Sequence, residues 1–94
     1  MIALVMSVSL PMTTYAANWY LEDGSVTVNA DNSGQTVTQG GGSAVPDEAP
    51  VITQRESSVE TGNTIAISTS DNAAANVTIK DINIKSSNDA IDVK

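Results

Sequence analysis

Asn76-Val77-Thr78-Ile79-Lys80-Asp81-Ile82-Asn83-Ile84-Lys85 is the stretch on which the fold turns. Its apolar residues come as two pairs, Val77/Ile79 and Ile82/Ile84, and each pair has the two-residue spacing that puts both side chains on one face of a strand. Lys80-Asp81 interrupts the alternation, so the two pairs can share one core only if the chain bends there. Working outward, Ile65/Ile67 and Ile91/Val93 repeat the same pairing, with 26 residues from Ile65 to Ile91 and from Ile67 to Val93, as also from Val51 to Val77. These residues are mostly β-branched and suit a pleated surface. A coil of that length, carrying short strands joined at polar corners, predicts an all-β chain built as a right-handed parallel β-helix, in which the inward pairs of one coil stack on those of the next. A β-sandwich is the alternative, because short strands with frequent turns occur there too.

The rest of the chain divides around that pattern. Residues 51–94 hold the expected coils, separated by Thr69-Ser70-Asp71-Asn72 and Ser86-Ser87-Asn88-Asp89. Residues 40–50 contain Gly40-Gly41-Gly42-Ser43 and Pro46-Asp47-Glu48-Ala49-Pro50, a composition that predicts a flexible Gly/Pro-rich loop. Residues 17–39 supply the first strands: Trp19-Tyr20-Leu21 and Val26-Thr27-Val28 around Asp23-Gly24, as a hairpin or a bent strand pair, then a turn at Asp31-Asn32-Ser33-Gly34. The chain ends just after Ala90-Ile91-Asp92-Val93 without a polar cap, so the 94 residues are expected to be the N-terminal coils of a longer array.

Residues 1–16 have a different character. Met1 to Met12 form an uncharged apolar run too short for the ~20 residues a membrane-spanning helix needs, and Thr14-Tyr15-Ala16 before Ala17 places small side chains where a signal peptidase reads them. A signal peptide cleaved between Ala16 and Ala17 follows, lacking only its basic n-region, since the first charge is Glu22. The mature protein is then secreted, extracellular or on the cell surface, with no integral membrane segment after cleavage.

Composition removes several chemistries. Without Cys or His there is no disulfide, no thiolate or imidazole metal site and no Ser-His-Asp catalysis. A net charge of −7 repels phosphate backbones, which argues against nucleic acid. Only Arg55, Lys80, Lys85 and Lys94 are basic, too few to point to lyase chemistry, and nothing fixes the separation of two carboxylates for a glycosidase. The chain is therefore not expected to be an enzyme.

The order Trp19-Tyr20-Leu21, a turn and Val-Thr-Val, the passage into Ala49-Pro50-Val51-Ile52-Thr53, then Asn63-Thr64-Ile65, Asn76 to Ile84 and Ala90 to Val93 resembles the start of clostridial carbohydrate-binding-domain proteins. That resemblance implies a pectate-lyase-like parallel β-helix, a plant polysaccharide of pectic or cellulosic type as partner, and Ca²⁺ as a possible helper. Asp71, Asp89 and Asp92 are the candidate Ca²⁺ ligands, since loops on adjacent coils would stack their hard oxygens; Asp and Asn are also ordinary turn residues. Trp19 and Tyr20 are the candidate sugar-stacking pair, or else cover the open end of the first coil. The competing function is a surface adhesin or structural repeat protein with no small ligand.

Overall fold

The computed structural model describes residues 17–94, so the expected signal peptide, Ala16 included, lies outside the described residues. Eight strands and one 3₁₀ turn follow in order: β1 (Asn18–Tyr20), the turn Leu21–Asp23, β2 (Val26–Asp31), β3 (Gly34–Gln39), β4 (Val45–Pro46), β5 (Val51–Thr53), β6 (Ile65–Thr69), β7 (Thr78–Ile79) and β8 (Ile91–Val93). The class is all-β. Among the described residues no helix is long and apolar enough to cross a membrane.

Two sheets form. One has the order β1-β5-β7, with every pairing parallel. The other has the order β4-β3-β2-β6-β8, in which β2, β6 and β8 run parallel while β3 pairs antiparallel with both β2 and β4. Ile65 pairs with Ile91 and Ile67 with Val93, the 26-residue offset that the sequence spacing predicts. Val51 pairs with Thr78 rather than Val77, so this ladder is offset by one residue more, and the inward partners are Ile52 and Ile79. A third parallel contact, the bridge Thr61↔Ile84, lies between the two sheets in chain order.

Side-chain alternation sets the core. In β2, Val26, Val28 and Ala30 are buried while Asn29 and Asp31 are exposed, and in β6 Ile65 and Ile67 are buried. Val26, Val28, Ile65 and Ile67 meet Leu21, Val37 and Ile52 in one cluster, with Trp19, Val77, Ile79, Ile82 and Ile84 packed against it. Both pairs of the 76–85 stretch thus face the same core, and the bend between them falls at Asp81, whose φ is 54°. Each fully buried aliphatic side chain contributes about 1.5–3 kcal/mol.

Two local expectations are revised. Trp19–Val28 is no hairpin: β1 and β2 belong to different sheets, and the chain turns a corner through Leu21–Asp23 and Gly24. Gly24 sits at φ 138°, and a Cβ there would lie 3.1 Å from the Gly40 Cα, which is why the corner takes glycine. The hairpin is instead β2–β3, closed by Asn32-Ser33 between the paired Asp31 and Gly34. The 40–50 stretch also folds back, because Gly40 to Ser43 turn the chain so that Val45 and Pro46 pair with Val37 and Thr36. Asp47 and Pro50 are fully buried, so this loop is part of the packed structure.

Candidate functional site

The alternation that sends Ile65 and Ile67 inward leaves Ala66 on the outer face of β6, in register with Asp92 of β8. Ala66 is too small to fill that face. An open surface hollow of about 580 Å³ lies beside it, lined by Thr64, Ile65, Ala66, Ser87, Asn88, Asp89 and Asp92. Ladder bonds from the Ile65 N–H to the Ala90 carbonyl (3.0 Å) and from the Lys94 N–H to the Ile67 carbonyl (2.8 Å) fix its floor. The Ser86–Asp89 turn forms one side and is held by the Asn88 N–H donating to Ser86 Oγ at 3.1 Å. Hydroxyl, amide and carboxylate groups thus line one hollow, a mixed set of hydrogen-bond donors and acceptors.

Of the three candidate Ca²⁺ ligands, Asp89 and Asp92 share this hollow and Asp71 does not line it. Asp71 and Asn72 have φ of 57° and 61° and make the turn after β6, where the Ala73 N–H donates to the Ser70 carbonyl at 2.9 Å. Asp92 is engaged by Lys94 Nζ at 3.4 Å. Among the described residues no group of three or more Asp, Glu, His or Cys side chains is placed to hold a metal. Two carboxylates fall short of the ~6–8 oxygens Ca²⁺ takes, so a bound ion would need most of its ligands from elsewhere.

Trp19 and Tyr20 are neighbours on β1 and therefore project to opposite faces, which separates them as a stacking platform. Trp19 packs against the core, and its Nε1–H donates to Asp47 Oδ2 at 2.8 Å. Tyr20 has the Arg55 guanidinium 4.3 Å from its ring centroid. Arg55 forks onto Asp23 (Nη1 to Oδ1 3.0 Å, Nη2 to Oδ2 2.8 Å), while the backbone N–H groups of Arg55 and Glu56 donate to Glu22 at 3.0 and 2.8 Å. The clasp ties the first corner to the segment after β5. The Arg55 fork holds the Asp23 carboxyl below its ordinary range and raises Arg55 in turn. Partial desolvation pulls Glu22 up, but the two backbone donors outweigh it and leave that carboxyl low as well.

Sequence reasoning passed over the buried polar groups. Gln35, 4% exposed, donates Nε2–H to the carbonyls of Asp47 and Asn76 (both 3.0 Å) and accepts the Asn76 N–H at 2.8 Å, joining the hairpin to the approach to β7. Gln54 donates to the Val59 carbonyl (3.0 Å) and accepts from the Asn83 N–H; Gln39 and Asn63 satisfy carbonyls at the Leu21 corner. Asp47, with no exposed surface, accepts from the Ala17 N–H (3.1 Å), Trp19 Nε1–H and the Ala49 N–H (3.1 Å). The available signal was phase: Gln35 and Gln39 flank Val37 at two-residue spacing, on its inward face. No family model, curated protein or solved structure matches the chain.

Proposed function

We propose that this chain belongs to a secreted, non-catalytic polysaccharide-binding protein whose strands wind as a right-handed parallel β-helix. The winding is supported by the run of parallel pairings, β1 to β5 to β7 and β2 to β6 to β8, with near-constant offset between the later coils. A sandwich would be expected to pair its strands antiparallel. The polar hollow beside Ala66 carries the functional reading, and the resemblance to clostridial carbohydrate-binding-domain proteins supplies the ligand class. Ser87, Asn88, Asp89 and Asp92 would hydrogen-bond the sugar hydroxyls of a neutral, cellulosic chain directly. A pectic chain is anionic, as is this protein at net charge −7, so it would bind only with Ca²⁺ bridging the two sets of carboxylates.

Affinity electrophoresis of the secreted protein, through gels containing a cellulosic or a pectic polymer with Ca²⁺ or with chelator, tests this. Retardation is expected and should fall several-fold in Asp92→Ala, whose half-buried side chain lies outside the core cluster. Unchanged mobility in every gel would instead favour the adhesin or structural repeat.

A further inference from the structure

Asp47 is the one fully buried acidic side chain of the described residues, and none of its partners carries a positive charge. The ion pairs found among the described residues are Arg55–Asp23 and Lys94–Asp92, both elsewhere. A carboxylate removed from water is costly unless paired, and three neutral N–H donors offset only part of that cost. The first donor belongs to Ala17, on the C-terminal side of the expected cleavage.

We propose that Asp47 is the receptor for the mature N-terminus, and that cleavage before Ala17 turns a neutral amide donor into the ammonium this carboxylate lacks. The inference rests on the export reading above. Hydrolysis of the Ala16–Ala17 peptide bond consumes one water and leaves a carboxylate on Ala16 and an amine on Ala17, which takes up a proton. That nitrogen already lies 3.1 Å from Asp47 Oδ2, and the Ala17 carbonyl accepts the Val51 N–H at 3.0 Å, so the residue is held from both sides. Asp47 is held as firmly: its N–H donates to the Gln35 carbonyl at 3.1 Å and its carbonyl accepts from Gln35. The uncleaved precursor offers an amide here, with no charge. Its folded state is correspondingly weaker, which suits a chain that must cross a membrane before it folds, and the peptidase acts before this nitrogen is enclosed.

The full chain is expressed in a secreting bacterial host and the mature terminus read by intact mass. Mild transamination, which converts the α-amine to a ketone and spares Lys80, Lys85 and Lys94, is then applied to the wild type and to Asp47→Asn. Loss of the amine is expected to lower the folding equilibrium constant of the wild type about ten-fold or more, and that of Asp47→Asn about two-fold or less. Should Asp47→Asn not accumulate, the α-amine is titrated by NMR in the wild type; pairing requires a midpoint above the ordinary ~7.7–8.0. A mature terminus other than Ala17 sinks the cleavage assignment and the pairing together. An Ala17 terminus with equal losses in the two proteins, or with an ordinary or lower amine midpoint, overturns the pairing alone and leaves export intact.

Discussion

Ile65 and Ile91 are the same residue type at paired positions of neighbouring parallel strands, yet Ile65 is 1% exposed and Ile91 41%. Truncating each to Ala separates burial from strand position. Ile65→Ala removes three carbons from the cluster of Val26, Val28, Ile52 and Ile67; at about 0.8 kcal/mol per carbon the lost transfer free energy is about 2.4 kcal/mol. The void adds to this. Ile65 is clamped between β2 and β8 by ladder bonds, so its surroundings collapse only in part and the total reaches roughly 3–4 kcal/mol. Ile91→Ala gives up less, because much of its side chain stays in water, and should cost about 1 kcal/mol. Urea unfolding followed by Trp19 fluorescence measures both, since Trp19 is the single tryptophan and packs against the same core. The midpoint of Ile65→Ala should fall far more than that of Ile91→Ala at unchanged slope. Equal losses for the two, or a loss below about 1 kcal/mol for Ile65→Ala, would refute the shared core on which the fold description depends.

Gln35→Leu preserves apolar bulk but strands the Asp47 carbonyl and both backbone groups of Asn76; a loss of roughly 3 kcal/mol is expected in the same urea assay. Acid should weaken the first corner. Glu22, Asp23 and Asp31 have folded pKa values below their ordinary 4.5, 3.8 and 3.8, Asp31 through the Ser33 hydroxyl and N–H. Their contribution is therefore fully present above those ordinary values and is lost as the pH falls through the lower folded ones. The urea midpoint should drop between about pH 5 and pH 2, and Asp23→Asn should flatten part of that drop.

Although Ile91 and Val93 stay exposed where Ile65 and Ile67 are buried, the strands of the second half were legible because pairs of Ile and Val at strict two-residue spacing recur at a 26-residue interval. That is how Ile65/Ile91 and Ile67/Val93 declared their register in advance. The same logic misplaced Val51 by one position, because β5 and β7 have only Ile52 and Ile79 as inward apolar partners and a single residue cannot fix a phase. The first half was harder, since β3 and β4 intervene between β2 and β5, and Gly40 to Ser43 read as part of a flexible loop when they make the turn that lets β4 pair. Of the candidate site, Asp89 and Asp92 do come together, while Asp71 follows a different turn. Trp19 was open to two readings, a sugar-stacking face or a cover for the first strands; its partner, Asp47, lies 28 residues away, and no local pattern announces a contact at that range. Buried glutamines escape for a similar reason. Their role is to satisfy backbone groups at corners, and a corner is defined only once the two sheets have formed.

The β2–β3–β4 excursion separates two measures that coincide elsewhere in the chain. Val26 and Ile65 are paired neighbours across 39 residues of sequence, where Ile65 and Ile91 span 26. All the added length leaves from one edge of β2 and returns without disturbing the rung on its other edge. Lengthening an existing loop costs only about 0.6 kcal/mol per doubling. The exposed tip at Asn32-Ser33 is thus where this chain can acquire new sequence at small thermodynamic cost, as a branch that leaves the β2–β6–β8 register unchanged.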